Sequence, residues 1–196
     1  MKKIIAIDID DVLCDSIWSL IKFYDWKINW VNIQFEEFCD IWLNKIPKLN
    51  IKDSKQALKI RNNFFLHSKE FQNLKPKLSV IKKIKQRKKS DYKIFFVTWR
   101  VEILKDLTTK RIDKYFGWLY EKLIFTNQWT NKEIKKTDIL KKNWIWFLID
   151  DYLPNFENID KYWMTWFLIE KPRNKNFETN LHKWITKVKS LEEIKL

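Results

Sequence analysis

The sequence predicts an α/β protein: a three-layer parallel sheet with a small helical cap inserted into it. Short apolar runs alternate with helical segments along the 196 residues, which is typical of parallel strands joined by crossover helices. Two of these runs, near the start of the chain and near residue 150, end abruptly in aspartates. The first two predicted strands are also separated by about 80 residues, whereas a crossover needs only about a dozen.

Five apolar runs predict the strands of the sheet. The run Ile4, Ile5, Ala6, Ile7 leads directly into Asp8, and a run this apolar is typical of a strand buried on both faces. The strands are expected at 3–9, 92–98, 123–126, 146–151 and 167–169.

Helical segments fill the intervals between these strands. They are expected at 15–27, 34–44, 53–66, 77–89, 101–116, 132–142, 154–162 and 178–195. Pro76 precedes the fourth of them, and proline suits the first turn of a helix. Because 17–75 carries no strong strand signal and is too long for a crossover, we interpret it as the inserted cap, and 1–16 with 76–196 as the core.

Composition bounds the class of protein. Hydrophobic residues make up 45% of the chain and charged residues 33%, and no apolar run approaches the roughly 20 residues that span a bilayer. A soluble protein without a membrane partner is therefore expected. The two cysteines, Cys14 and Cys39, form no disulfide framework and fit a reducing compartment, so the predicted location is the cytoplasm.

The formal net charge of +14 bears on the partner. A strongly basic chain invites a nucleic-acid interpretation. The lysines are spread along the chain, however, and the densest group, between Lys82 and Lys89, falls on a predicted helix whose solvated face explains it. Attraction of a small phosphorylated anion is equally compatible with the charge. We expect such a substrate, rather than a nucleic acid, as the partner.

Side chains suited to phosphoryl chemistry follow the predicted strands. Asp8 and Asp10 end the first strand, Thr98 ends the second, and Asp150 and Asp151 end a later one. Ligands of open α/β sheets bind beyond the carboxyl ends of the strands, so these side chains are expected to meet there. Two carboxylates this close repel each other unless a cation lies between them. Carboxylate oxygens are ligands for Mg²⁺, so a magnesium site with an attacking carboxylate is predicted.

Each of these residues also has an ordinary structural explanation. The Asp10-Asp11 pair could cap the next helix. Thr98 is a common kind of residue at a strand end, and Asp150 with Asp151 could form a turn. Their joint occurrence at strand ends, in this order, favours the catalytic interpretation.

This order of residues resembles the haloacid dehalogenase (HAD) superfamily of phosphohydrolases. The matching motifs are Asp8-Ile9-Asp10, Val97-Thr98, a lysine near 136 and Ile149-Asp150-Asp151. The resemblance covers the whole chain and implies a Rossmann-like, HAD-like core. Within the superfamily, the stretch 7–13 followed by a helical cap looks like the cytosolic 5′(3′)-deoxyribonucleotidase type and its relatives.

Two departures from the family pattern stand in the sequence. The nucleotidase group carries Thr-Gly-Arg or Thr-Ala-Arg after the second strand, where this chain has Thr98-Trp99-Arg100. Asp11 stands where many members of the superfamily have glycine. The first departure matters more, because an indole at position 99 would crowd the predicted site.

The resemblance implies a role for each residue. Asp8 would attack phosphorus and form an aspartyl-phosphate, and Asp10 would protonate the leaving oxygen and then activate the hydrolytic water. Mg²⁺ would be held by the Asp8 side chain, the Asp10 backbone carbonyl and Asp150. Asp151 would be a further ligand or a neighbour of the ligands. The Thr98 hydroxyl would stabilise the transferring phosphoryl charge.

A lysine would stabilise the same charge. Lys136 is preferred because it begins the predicted helix segment that leads into the acidic strand, but Lys135 competes with it. Arg100 could reach a phosphate or pair on the surface. The sequence does not separate these alternatives.

The predicted function is a Mg²⁺-dependent phosphomonoester hydrolase, in particular a 5′-nucleotidase acting on (deoxy)nucleoside monophosphates. Three alternatives stay open: a HAD phosphatase for another small phosphoester or a nucleic-acid end, a phospho-receiver switch, and a non-catalytic basic nucleic-acid-binding module. The late acid pair Asp150-Asp151 and the long insert argue against the receiver.

Glycine and tryptophan occur in unusual numbers. The chain has 1 glycine and 12 tryptophans, whereas average usage of about 7% predicts roughly 14 glycines. Trp99 follows a strand end, and Trp144 and Trp163 follow predicted helix ends, where glycine is the usual cap. We interpret several of these tryptophans as UGA codons that the source organism reads as glycine. A genuinely tryptophan-rich protein is the alternative.

Overall fold

The computed structural model describes residues 2–24, 32–38, 40, 43–128, 130–156, 163–179 and 182–196. Within these ranges six strands form one sheet: β1 (Ile4–Ile7), β2 (Lys93–Thr98), β3 (Lys122–Phe125), β4 (Phe147–Asp150), β5 (Thr165–Ile169) and β6 (Ile185–Val188). Their order in the sheet is β3-β2-β1-β4-β5-β6, and each neighbouring pair is parallel. The predicted parallel α/β sheet is confirmed, with β1 between β2 and β4.

Six α-helices accompany the sheet in the described part of the chain. They are α1 (Ser16–Tyr24), α2 (Ser54–His67), α3 (Lys69–Asn73), α4 (Leu78–Lys89), α5 (Lys105–Phe116) and α6 (Lys136–Lys142). Short 3₁₀ turns lie at Phe35–Glu37, Leu43–Lys45, Pro47–Leu49, Glu102–Leu104, Gly117–Leu119, Leu153–Phe156, Pro172–Asn174 and Leu191–Glu193. None of the described helices combines the length and the hydropathy that a membrane crossing requires.

The alternation of side chains along the strands produces three layers. Ile5 and Ile7 of β1 belong to an apolar cluster with residues of α4 and α5. Ala6, between them, points into a second cluster that includes residues of α6. Successive side chains of a strand face opposite sides of the sheet, so helices cover both faces. This double coverage explains why the strands are apolar throughout.

The described residues between β1 and α4 pack around an apolar cluster that also includes Trp99 and Leu104, which follow β2. Phe38, Phe64, Phe65 and Phe71 are fully buried in it. Helix α2 begins at a good N-cap, because the Asp53 carboxylate accepts a hydrogen bond from the Gln56 N–H at 2.7 Å. We call this segment the cap; the division of the chain into a core and a cap inserted at 17–75 stays a prediction.

Two predicted helices are wrong. The terminal helix at 178–195 is instead strand β6 followed by a 3₁₀ turn, because the β-branched Ile185, Thr186 and Val188 extend and pair with β5. The helix at 34–44 is replaced by separate 3₁₀ turns at Phe35–Glu37 and Leu43–Lys45. Of the helix at 154–162, residues 154–156 are part of a 3₁₀ turn. Its other residues, like Cys39 and 25–27, lie outside the described ranges.

Candidate active site

The predicted site residues lie at the carboxyl edge of the sheet. Asp8 directly follows β1, Thr98 and Asp150 are the last residues of β2 and β4, and Asp151 follows Asp150. Lys136 is the first residue of α6. All of them, with Asp10, are buried. Adjacent parallel strands end at the same edge, and this alone brings residues more than 100 positions apart in sequence together.

Lys136 joins the two ends of the site. Its Nζ donates to Asp150 Oδ2 at 2.6 Å and also contacts Asp8 Oδ1. Lys135, the N-cap of the same helix, is exposed. The geometry therefore places Lys136, and not Lys135, beside the predicted nucleophile.

The electrostatics of Asp8 reflect its surroundings. Burial raises its pKa to about 8; the Lys136 ammonium acts in the opposite direction, and the nearby Asp150 and Asp10 carboxylates add to the rise. Burial also disfavours the charged form of Lys136, but Asp150 and Asp8 outweigh it, so the pKa of that ammonium is raised. The Asp8 carboxylate is therefore protonated more readily than the Lys136 ammonium is deprotonated.

We expect the stability of the metal-free protein to depend on pH through Asp8. Between its unfolded pKa and about 8, Asp8 binds a proton in the folded state that it loses on unfolding, so stability falls as pH rises. This group should contribute a loss on the order of 2 kcal/mol between about pH 5 and about pH 7. Urea unfolding in EDTA at both pH values measures it. Asp8→Asn should lack this component, and an identical pH slope in both proteins would contradict the assignment.

The Asp10 carboxylate is held by a buried arginine. Arg100 donates from Nη2 to Asp10 Oδ1 at 2.7 Å and from Nε to Asp10 Oδ2 at 3.0 Å. The Ser16 hydroxyl donates to Oδ1 at 2.6 Å. Three charge-assisted or short hydrogen bonds fix the position of this carboxylate. Arg100 thus neither lies on the surface nor is free to move, because its other side packs on Phe65 and Phe71 of the cap.

Asp11 and Asp151 share a second arginine. Arg173 Nη2 donates to Asp11 Oδ2 at 2.9 Å and also contacts Asp151 Oδ2. Asp11 in addition accepts the Ile17 N–H at 3.0 Å in the first turn of α1. The capping role considered for the Asp10-Asp11 pair therefore falls to Asp11. Its φ of 60° is a left-handed conformation that aspartate tolerates better than most residues.

Three carboxylates form a set suited to a metal ion. Oxygen atoms of Asp8, Asp150 and Asp151 lie within 4.8 Å of one another. Asn155 Nδ2 donates to Asp150 Oδ2 at 2.9 Å, and the Tyr152 N–H donates to Asp150 Oδ1 at the same distance. A buried, all-oxygen donor set fits a hard divalent cation. The Asp10 side chain does not belong to this set, because Arg100 holds it; its backbone carbonyl, predicted as the ligand, is a separate atom.

A small cavity lies above the carboxylates. Its volume is about 20 Å³, room for roughly one water molecule. Its lining includes Asp8, Asp10, Trp99, and Arg61 of α2. The Trp99 ring lines this cavity and packs on Phe65, and its centroid is 4.2 Å from the Arg61 guanidinium carbon. As long as the indole stays there, a phosphoryl group has no room beside Asp8.

Thr98 contributes to the site less directly than predicted. Its hydroxyl oxygen accepts the Arg100 N–H at 3.3 Å, and its side chain is fully buried and does not line the cavity. In this structure it shapes the turn that carries Arg100.

Four residues of the site were not predicted from the sequence: Ser16, Arg61, Asn155 and Arg173. Arg61 lies on a helix of the cap, whose placement over the sheet is a tertiary effect. Asn155 and Arg173 follow the carboxyl ends of β4 and β5, and this position is the one signal that could have indicated them.

Solved structures share this architecture. A haloacid dehalogenase-like hydrolase from Streptococcus pneumoniae is 12% identical, with a TM-score of 0.68 over 97% of this chain and 96% of that one. A predicted phosphatase from Clostridium acetobutylicum is 12% identical, with a TM-score of 0.65 over 96% and 94%. No protein-family model and no curated protein matches the sequence. The similarities show that this chain has the fold of haloacid dehalogenase-like hydrolases.

Proposed function

We propose that this protein is a Mg²⁺-dependent phosphomonoester hydrolase that acts through an aspartyl-phosphate on Asp8. The observation that carries the proposal is the meeting of Asp8 with Lys136, Asp150 and Asp151 in one buried cluster. A structural salt bridge alone would not need three carboxylates within 4.8 Å of one another, two of them on the same lysine, since like charges in a buried site raise each other's energy. The shared fold with hydrolases supports the same conclusion.

Asp8 is the nucleophile of the proposed reaction, and Asp10 transfers the protons. An Asp8 oxygen attacks phosphorus, the bond to the leaving oxygen breaks, and that oxygen takes a proton from Asp10. Asp10 then accepts a proton from the water that hydrolyses the aspartyl-phosphate. In the structure both Asp10 oxygens accept hydrogen bonds from the Arg100 guanidinium, so Asp10 acts as the acid only after one of these bonds opens and that oxygen binds a proton.

Charge on the transferring phosphoryl group needs neutralising throughout. The Lys136 ammonium, already beside Asp8, supplies one positive charge at the right place. Asp8, Asp150 and Asp151 would hold a divalent cation, which we infer to be Mg²⁺. When bound, the cation supplies further positive charge next to the phosphoryl oxygens.

For the substrate we propose a (deoxy)nucleoside monophosphate. A second cavity of about 330 Å³ shares Lys136, Tyr152 and Asn155 with the catalytic cavity, and this volume suits a small-molecule ligand. Tyr152 lines both cavities. The sequence resemblance to the deoxyribonucleotidase type supports the same substrate, and the predicted cytoplasmic location agrees with it.

Phosphate release from a panel of phosphomonoesters tests the proposal. The panel holds nucleoside 5′- and 3′-monophosphates, sugar phosphates and a phosphorylated DNA end, each with Mg²⁺ and with EDTA. Because Trp99 fills the cavity, the protein and its Trp99→Gly variant are both assayed. We expect Mg²⁺-dependent release, fastest from nucleoside monophosphates. Faster release from sugar phosphates would replace the nucleotide by another small phosphoester, and no release from any substrate by either protein would overturn the proposal.

A further inference from the structure

Trp144 occupies a position in the chain that favours glycine. It follows the end of α6 with a φ of 53°, in the left-handed region. Its N–H donates to the Lys141 carbonyl at 3.1 Å, and the Ile145 N–H donates to the Leu140 carbonyl at 3.1 Å. These two bonds are those of a Schellman motif, whose left-handed residue is usually glycine. The tryptophan side chain is 67% exposed, and its one aromatic neighbour among the described residues is the Trp163 ring, with the centroids 6.1 Å apart.

Other tryptophans share this exposure and this kind of location. Together with Trp144, four other tryptophans lie in turns that lead into strands at the amino edge of the sheet, opposite the active site: Trp118, Trp146, Trp163 and Trp184. They are between 37% and 68% exposed, whereas tryptophan is highly buried on average. Turns before strands are a usual place for glycine.

The structure supports a glycine assignment to different degrees at Trp99, Trp144 and Trp163, the three tryptophans that the sequence indicates. Trp144 alone of them has a positive φ. Trp163 is exposed, and the residues just before it lie outside the described ranges, so its relation to a helix end stays a prediction. Trp99 is buried, and it lines the small cavity that the proposed catalytic carboxylates Asp8 and Asp10 also line. Backbone geometry at one position and blockage of the site at another are independent observations.

We propose that Trp99 and Trp144 are encoded by UGA and inserted as glycine by the cell that makes this protein, with further exposed turn tryptophans of the same origin. A low GC content explains few glycines but not many tryptophans, because the standard tryptophan codon is itself G-rich. One reassigned codon explains both the 1 glycine and the 12 tryptophans. It also removes the departure at Thr98-Trp99-Arg100.

Glycine at position 99 changes what the site can bind. Arg61, a buried guanidinium on α2 of the cap, already lines the small cavity beside Asp8 and Asp10, and removal of the indole would enlarge that cavity on the side of Arg61. Arg61 then borders the position of the substrate phosphoryl group and contributes a positive charge from the cap side. This consequence rests on the proposed function; the assignment of glycine does not.

The codons and the mature protein decide the assignment. UGA at positions 99 and 144, with peptides from the native host lighter by the difference between tryptophan and glycine, is the expected result. UGG at both positions, or peptides that contain tryptophan there, overturns the proposal.

A pair of variants measures the backbone argument in vitro. Trp144→Gly should raise Tm by roughly 3 °C, because it relieves a left-handed residue whose side chain is mostly exposed. Trp18 is the matched control: it lies within α1 and packs edge-on against Phe35 at 5.3 Å, so Trp18→Gly should lower Tm. A lower Tm for Trp144→Gly overturns the structural argument.

A second pair measures the effect on catalysis. Trp99→Gly should raise kcat/KM for the best phosphomonoester by about tenfold or more, because it opens the cavity to substrate. Trp144→Gly, at the opposite edge, should leave kcat/KM unchanged. Activity in the parent protein that Trp99→Gly does not increase would overturn the assignment at position 99. Absence of activity in both proteins, with UGA at 99 and 144, would instead overturn the proposed function.

Discussion

Asp8→Asn is expected to reduce phosphate release on the order of 10⁴-fold or more, because it removes the attacking atom of the proposed reaction. The amide has nearly the same shape, so packing around β1 should persist. It also lacks the charge that burial and two neighbouring carboxylates disfavour at this position. The variant should therefore be as stable as the parent near neutral pH, or more so. Initial rates with the best substrate of the panel, together with urea unfolding, measure both effects.

A matched substitution separates loss of the nucleophile from a general effect of the change. Asp53 is an exposed N-cap on α2, and asparagine caps helices as well as aspartate does. Asp53→Asn should keep the parent's rate. If Asp8→Asn retained a tenth of the activity or more, the covalent mechanism would be wrong, and an attack by water on the substrate would have to replace it.

The acidic part of the site was predictable because it depends on where strands end. Asp8 and Asp150 follow apolar runs that can only be buried strands, and parallel strands align their carboxyl ends. The arginines were not predictable. Arg100 stands two residues beyond a strand, but its bonds to Asp10 depend on the turn that Thr98 and Trp99 make. Arg173 reaches the site from beyond β5.

The error at the end of the chain has a different cause. Residues around Ile185 have no apolar alternation strong enough to distinguish a strand from an amphipathic helix, and the lysines between them favour neither. This segment becomes a strand because Ile185–Val188 pair in parallel with the edge of β5. A local pattern does not contain that partner, whereas β1 and β2 carry enough apolar residues to be identified alone.

The second large expected effect is a loss of kcat on substitution of Lys136 but not of Lys135. The two lysines are adjacent in sequence, but Lys136 is buried in the site and Lys135 is exposed. Lys136→Ala should lower kcat by about 10²–10³-fold, since it removes a preorganised charge from beside the reacting phosphoryl group. Lys135→Ala should leave kcat unchanged, because that side chain is exposed at the start of α6. Steady-state kinetics of both variants with Mg²⁺ present compares them directly.

Loss of Lys136 also leaves buried carboxylates without their cation, so Lys136→Ala could lose activity by unfolding. Lys136→Arg answers this objection. Arginine keeps the charge, and therefore much of the stability, but its planar guanidinium does not reproduce the single Nζ that contacts both Asp8 and Asp150. A folded Lys136→Arg protein with low kcat would show that the position of the charge matters as well as its presence. Full activity in Lys136→Ala, or a loss confined to Lys135→Ala, would transfer the catalytic role to another residue.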